Sequence, residues 1–393
     1  MMTKPSVVYL DSSDYSTLSD PKRDSRTEQL CGRLLGLAKR PSIMFVFSGA
    51  HISEMAPLEA RHAESAVRRT ELLTQLCGRN TLISLDRLIL MELAQLAGHP
   101  SASHAIIDTN GQWFPELSQL ITPVQKLDVQ GVFDRQIADM NLNRKMRRHV
   151  QGSILKKGAF RAGLPFQFGI AELEKLLAEY PMRPKDAKVV ANYVLGKASR
   201  EQANDAFLQS LRDPDWMMRW FHSHADSLGA IGDWVRKPAR NLVESLRQPL
   251  EQFTAMSVDE QSAAFKPITG EQWRKIRDHS TMTMVNDLLT KLIPGTESCT
   301  DVDKINSACP GLATCIRTLH ASVRNALGAR PRAPTNSDMV DALHALYVPY
   351  VDFFRGDRYM APIIAGEAPQ FSGRVFGQLP KLVDALEQQH ARG

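Results

Sequence analysis

The chain has 393 residues, 43% of them hydrophobic, with 48 Lys and Arg against 43 Asp and Glu and a formal net charge of +5. That content buries a large core, enough for two domains or for one domain with a big insertion, and it excludes an extended disordered chain. The mild basic excess permits a polyanionic partner without demanding one. No apolar run reaches the roughly 18 residues of a membrane span, and MMTKPSVVYL lacks the apolar core of a signal peptide, so a soluble cytoplasmic protein with no membrane partner is expected. The five cysteines are odd in number, scattered and without a CxxC pair, which fits reduced packing residues better than a disulfide framework or a zinc knuckle.

Val7-Val8-Tyr9-Leu10, followed by Asp11-Ser12-Ser13, predicts a buried strand stopped by turn-forming side chains, with Asp11 at the carboxyl edge of a sheet. Open α/β folds place their ligands at that edge. A short helix around Tyr15–Leu18 is expected next, then a helix with Leu30, Leu34 and Leu37 on one face, closed by Lys39-Arg40-Pro41. Ile43 to Phe47 predicts a second buried strand. Strand, helix and strand in so short a stretch form a βαβ unit with parallel strands. The following Ser48-Gly49-Ala50-His51-Ile52-Ser53-Glu54 places Glu54 about one and a half turns into a helix on the same sheet edge as Asp11. Further helix is expected over 60–98, broken near Cys77-Gly78 and by a candidate strand at Thr81–Leu85.

Residues 100–332 show no second strand–helix alternation and are expected to form one large, mostly α-helical insertion cut by prolines, with no fixed-period repeat. The α/β pattern returns after the linker at 329–334. Asn336-Ser337 caps a helix through Asp338, Asp341 and His344, and Pro349 is expected to end it. A strand over Tyr350–Phe354 leads to Arg355-Gly356-Asp357-Arg358, and an edge strand near 373–377 and a closing helix near 379–389 complete the chain. The expected organisation is a first α/β part over 1–99, an insertion over 100–332, and a second α/β part over 333–393.

Asp11, Glu54, Asp338 or Asp341, and Asp357 each follow a strand or lie on the helix after one. Two carboxylates about 4 Å apart repel by roughly 4 kcal/mol at an effective dielectric near 20, so a cluster of them persists only with protons or a cation to offset the charge. A hard divalent ion such as Mg²⁺ suits carboxylate oxygens. Two such ions can activate a water and stabilise the leaving oxygen of a phosphodiester. Taken singly, the same acids also serve as a turn former, a solvated helix residue and a first-turn acid favoured by the helix dipole.

VVYLDSSDYSTL, VFSGAHISEM and NSDMVDALHALYVPYVDFFRGDRYM together resemble the PIN-domain family, the fold of many metal-dependent ribonucleases. The likeness covers about 1–60 and 335–393. It implies a PIN-like parallel-sheet domain formed by the two terminal segments, with the acids in the order Asp11, Glu54, Asp338 or Asp341, and Asp357. It further implies a nuclease, an endoribonuclease ahead of a DNA-cutting enzyme, with Mg²⁺ or Mn²⁺ held by Asp11, Glu54, Asp338 and Asp357. The long helical insertion is not part of a minimal PIN domain. Both Asp338 and Asp341 fit the third acid; Asp338, nearer the helix start, is ranked first. Ser12, Ser13, Asp14 and His344 rank as neighbours of the site, and Asp352 ranks below Asp357 as a ligand, with a buried pairing to Arg358 as its alternative role.

Arg144, Lys145, Arg147 and Arg148 form the densest basic run, with no acid among them, and are expected either to neutralise substrate phosphates or to form a solvated helix face. The insertion is expected to select substrate, or to bind a protein partner or a second copy of the chain. A non-catalytic PIN-like protein that binds nucleic acid or regulates a partner is the alternative. Neither GxxxxGK[ST], HExxH nor GxSxG occurs in the chain.

Overall fold

The computed structural model describes residues 4–55, 62–99, 105–114, 143–146, 149, 155–156, 159–160, 182–194, 198–223, 270–326 and 336–391. They are mostly helical, with a small parallel sheet of four strands. The chain divides into two units, one of Met1–Ala56, Glu64–Pro115 and Ala230–Gly393, the other of Pro57–Ala63 and Glu116–Gly229. The stretch expected as one insertion is therefore shared, with 116–229 in the second unit and the helices over 270–326 in the first. Among the described residues no helix is long and apolar enough to cross a membrane.

β1 (Ser6–Tyr9) is buried along its whole length because every residue of the run meets packed neighbours on one face or the other. Asp11 then caps α1 (Ser12–Leu18), accepting the Ser13 N–H at 2.7 Å, so the residue that stops the strand also starts the helix. α2 (Ser25–Ala38) returns the chain to β2 (Ile43–Val46), which pairs in parallel with β1 in the register Val8 to Phe45. α3 (Gly49–Met55), α4 (Ala63–Cys77), β3 (Thr81–Leu82), α5 (Leu85–Leu96) and β4 (Ile107–Asp108) follow. The strand expected over Thr81–Leu85 stops at Leu82, because Ser84 adopts the extended backbone of an N-cap and Leu85 opens α5.

In the second unit β5 (Leu155–Lys156) and β6 (Ala159–Phe160) pair antiparallel. Its helices are α6 (Pro184–Val194), α7 (Arg200–Leu211) and α8 (Pro214–Ser223). Arg183 ties them together, bonding Asp186 at 2.5 Å and Asp213 at 3.0 Å, while Ser210 donates to Asp186 at 2.7 Å.

The first unit resumes with α9 (Gly270–Leu292), α10 (Val302–Ala308), α11 (Pro310–Ala326) and α12 (Asn336–His344). After α12 the chain tightens into a 3-10 turn over Ala345–Tyr350 that contains Pro349, rather than ending at that proline. β7 (Phe353–Arg355) is shorter than the strand expected from Tyr350. α13 (Met360–Glu367), a 3-10 turn over Pro369–Arg374, β8 (Val375–Phe376) and α14 (Leu379–Ala391) close the chain. The sheet order is β2-β1-β7-β8 with every pair parallel. A parallel bridge from Phe47 to Thr81 sets β3 beside β2. The amino-terminal strand thus pairs with one contributed by the carboxyl segment, and Arg33 on α2 bonds Glu387 and Asp384 on α14.

One face of the sheet is covered by a core in which Leu312, Cys315 and Ile316 of α11 meet Leu346 and Val348 of the 3-10 turn and Ile363 of α13. Glu92 of α5 is fully buried there. Its carboxylate accepts the Gly311 and Leu312 N–H groups at 2.7 and 2.9 Å and the Tyr350 hydroxyl, satisfying donors that the start of α11 would otherwise leave orphaned. Only glycine fits at 311, since a Cβ would press on the Leu346 carbonyl oxygen and on Glu92.

Candidate active site

β1 lies between β2 and β7, so the chain leaves the sheet in opposite directions on either side of it. That reversal opens a crevice at the carboxyl ends of neighbouring strands. Asp11 stands at the end of β1 and Asp357 two residues past the end of β7, one on each side of the crevice. Glu54 arrives on α3, which begins just after β2, and Asp341 sits one turn before the end of α12. Asp338 lies in the first turn of α12, and its side chain falls outside the described residues.

Three of the described acids act on the fourth. Burial is the largest influence on Asp341 and pushes its carboxyl up to about 8; the charges of Asp11, Asp357 and Glu54 add to the rise, and only His344 opposes it. Glu54 behaves differently. Burial pushes it up, yet the His344 charge and hydrogen bonds from His344 and Ser12 outweigh that and hold it below the ordinary carboxylate value.

His344 is the cation that makes the difference. Its Nε2 lies 2.7 Å from Glu54 Oε2, and its Nδ1 lies 2.6 Å from the Tyr9 hydroxyl. Burial alone would lower its pKa, but Glu54, Asp11 and Asp341 lift it to about 9. A doubly protonated ring donates at both nitrogens, which fixes the direction of the bonds beyond it. Tyr9 accepts from His344 and donates to Ser48 Oγ at 2.7 Å; Ser48 in turn faces His51 Nδ1. His51 accepts the Ser48 N–H at 3.1 Å on Nδ1 and donates from Nε2 to the Leu10 carbonyl at 2.8 Å. Burial and the His344 charge depress His51 to about 3, so it stays neutral. The chain of bonds runs from the last residue before Asp11 to Glu54.

A second anchor lies on the other side of Asp11. The Asp14 carboxylate accepts the Asp11 N–H at 3.3 Å and pairs with Arg355 at 3.2 Å. Burial lifts Asp14 to about 7, with Arg355 pulling it down and Asp11 pushing it up. The pair ties the end of β7 to the first turn of α1, and so fixes Asp357 relative to Asp11.

The donors available to a cation are all carboxylate oxygens. Asp357 spends Oδ1 on the Met360 N–H at 2.5 Å, and Glu54 spends Oε2 on His344 and Ser12. Among the described residues the second oxygen of each, and both oxygens of Asp341, accept no hydrogen bond. Such oxygens fit a hard ion chemically, and a cation would offset the part of the Asp341 rise that its acidic neighbours add to burial. Among the described residues, however, no three of His, Cys, Asp and Glu are grouped closely enough to hold a metal ion together.

The structure places Asp11, Glu54 and Asp357 within electrostatic reach of Asp341, with Ser12 and His344 bonded to Glu54 and Asp14 to the Asp11 backbone. Asp352 lies apart. It is exposed and binds the Val7 N–H at 2.9 Å, so it is an edge group of the sheet and not the partner of Arg358. Arg144 and Lys145 are exposed on a helical turn of the second unit, and Arg147 and Arg148 fall outside the described residues. Tyr9, Ser48, His51 and Arg355 were missed as site neighbours. For His51 a signal existed, since it precedes Glu54 by three and so shares its helix face. Compared with family models, with curated proteins and with solved structures, the chain matches none.

Proposed function

We propose that this chain is a PIN-like, Mg²⁺- or Mn²⁺-dependent nuclease that hydrolyses phosphodiester bonds, in RNA ahead of DNA. One observation carries the reading: the charges of Asp11, Glu54 and Asp357, from three separate parts of the chain, act on Asp341 beside the reversal point of a parallel sheet. The order of those acids along the chain, and the motifs that resemble the PIN family, point the same way.

Asp11, Glu54, Asp341 and Asp357 are the residues that would hold the ion once it draws them closer than they stand without it, with Asp338 as a further candidate. A bound divalent ion supplies Lewis-acid activation of water and neutralises charge at the phosphate. The rest is done by the chain. His344 fixes one oxygen of Glu54 and leaves the other turned free, and the Tyr9–Ser48–His51 series holds His344 in place. Arg355 and Asp14 fix the backbone of Asp11.

A second reading, a non-catalytic PIN-like nucleic-acid-binding or regulatory protein, is favoured by one observation of its own. His344 and Ser12 already occupy one oxygen of Glu54. End-labelled RNA and DNA incubated with Mn²⁺ or with chelator separate the two. The nuclease cuts only with metal, and Asp11→Asn abolishes cutting although asparagine still caps α1. Binding without cutting by the parent establishes the second reading, and full activity in Asp11→Asn refutes the site.

A further inference from the structure

Ser12 and Ser16 are one turn apart on α1 and share a face. Ser12 bonds Glu54 Oε2, and Ser16 Oγ donates to the Ser12 carbonyl at 3.4 Å. Ser16 Oγ also accepts from Nη1 of Arg69, at 3.5 Å. Arg69 lies on α4, where its Nε donates to the Ser65 carbonyl one turn back at 3.2 Å. Two contacts thus orient the guanidinium against Ser16, which stands about one helical turn, roughly 5 Å along the axis, from Ser12, a residue that holds Glu54. The side chain is half-buried, and the Glu54 charge acts on it. Yet Arg69 forms no ion pair with any described carboxylate, whereas its neighbour Arg68 pairs with Glu64 at 3.7 Å.

A cation placed only to neutralise Glu54 would close on it. Arg69 instead is held back, oriented, and left with open donors beside the acids. We infer that Arg69 binds a substrate phosphate, the one next to the phosphodiester presented to the acid cluster. The planar guanidinium fork matches two phosphate oxygens, a geometry that lysine cannot reproduce. This inference rests on the nuclease reading and names how the same site grips its substrate.

The test uses the full chain carrying Asp357→Asn, so that substrate is not consumed, with Mn²⁺ present and a fluorescent single-stranded RNA titrated across a salt series. Adding Arg69→Gln should weaken binding about tenfold, the size expected for one charge-assisted contact. It should also flatten the plot of log affinity against log salt by about 0.7, the value for one single-strand phosphate contact. Arg69→Lys should keep the slope and lose part of the affinity. Unchanged affinity and slope in Arg69→Gln overturn the inference while leaving the nuclease reading intact if the parent cuts RNA. A parent that neither binds nor cuts removes that reading, and the inference with it. Should Arg69→Gln lose its cooperative melt, Arg69→Lys decides: weaker binding at constant slope supports the contact, and unchanged binding overturns it.

Discussion

Replacing Asp341 with asparagine tests the convergence of the acids without any substrate. The carboxyl rises from an ordinary 3.8 to about 8, first through burial and then through Asp11, Asp357 and Glu54. A raised carboxyl means that the folded state holds its proton more tightly than the unfolded chain. Its contribution to stability is therefore fully present below about pH 4 and is lost as pH climbs through about 8. Each pH unit between the two values is worth about 1.4 kcal/mol, so at pH 7 the loss is on the order of 4 kcal/mol. Solvent reaches part of the side chain, and screening reduces this to about 2 kcal/mol. An amide at this position carries no such penalty, and Asp341→Asn breaks no hydrogen bond to a described residue. In chelator at neutral pH the variant should melt about 4–8 °C above the parent, using 2–4 °C per kcal/mol for a domain of this size. The difference should vanish near pH 4. With excess Mn²⁺ it should shrink or reverse, because an ion that binds the folded parent stabilises it. Calorimetric melts of both proteins across pH, with and without metal, supply the comparison. A variant that melts no higher than the parent in chelator at any pH would refute the clustering, and a gap indifferent to Mn²⁺ would refute the metal site.

Two further outcomes follow from the same geometry. Tyr9→Phe removes the hydroxyl between His344 and Ser48 and should cost about 1–3 kcal/mol in urea denaturation, since it strands the buried His344 donor and leaves Ser48 Oγ without the bond it accepts; no measurable loss would mean that the bonded series does not hold the site. Changing Arg144 and Lys145 together to Gln should flatten the salt dependence of RNA binding by about 1.4, two single-strand contacts' worth, and an unchanged slope would make the run a solvated face.

The sequence made the sheet edge legible where one residue carried two signals. Asp11 both stops a buried apolar run and caps the next helix, so its position follows from local chemistry alone. Glu54 was legible for a similar reason, lying on the helix that must leave β2 at the same edge. Strand ends were harder to read. Leu85 reads as an apolar strand residue, but Ser84 takes the cap geometry and commits it to α5; Tyr350 reads as the start of a strand, but its hydroxyl is spent on Glu92, and the chain stays in a 3-10 turn. Ser84 takes its cap backbone without a side-chain cap bond and Tyr350 is held by one, and the apolar pattern records neither.

The bonds that orient Glu54 lie beyond local reading because they close over long separations: Tyr9 meets His344 across 335 positions, and His344 meets Glu54 across 290. No periodicity links such residues. The chemistry of the site nevertheless depends on them. Buried carboxylates with no cation among them spread or hold their protons, as Asp341 does near pKa 8, through burial first and its acidic neighbours second. His344 keeps Glu54 ionised in the same field by lending it a buried positive charge, and Tyr9 keeps that charge from turning away. The described acids therefore differ in kind: Glu54 is held below the ordinary carboxylate value, while Asp341 is pushed up to about 8, first by burial and then by its acidic neighbours. On the proposed metal reading, cation binding and proton release would be one event at Asp341, which is why replacing that residue reports on the cluster more directly than replacing Glu54.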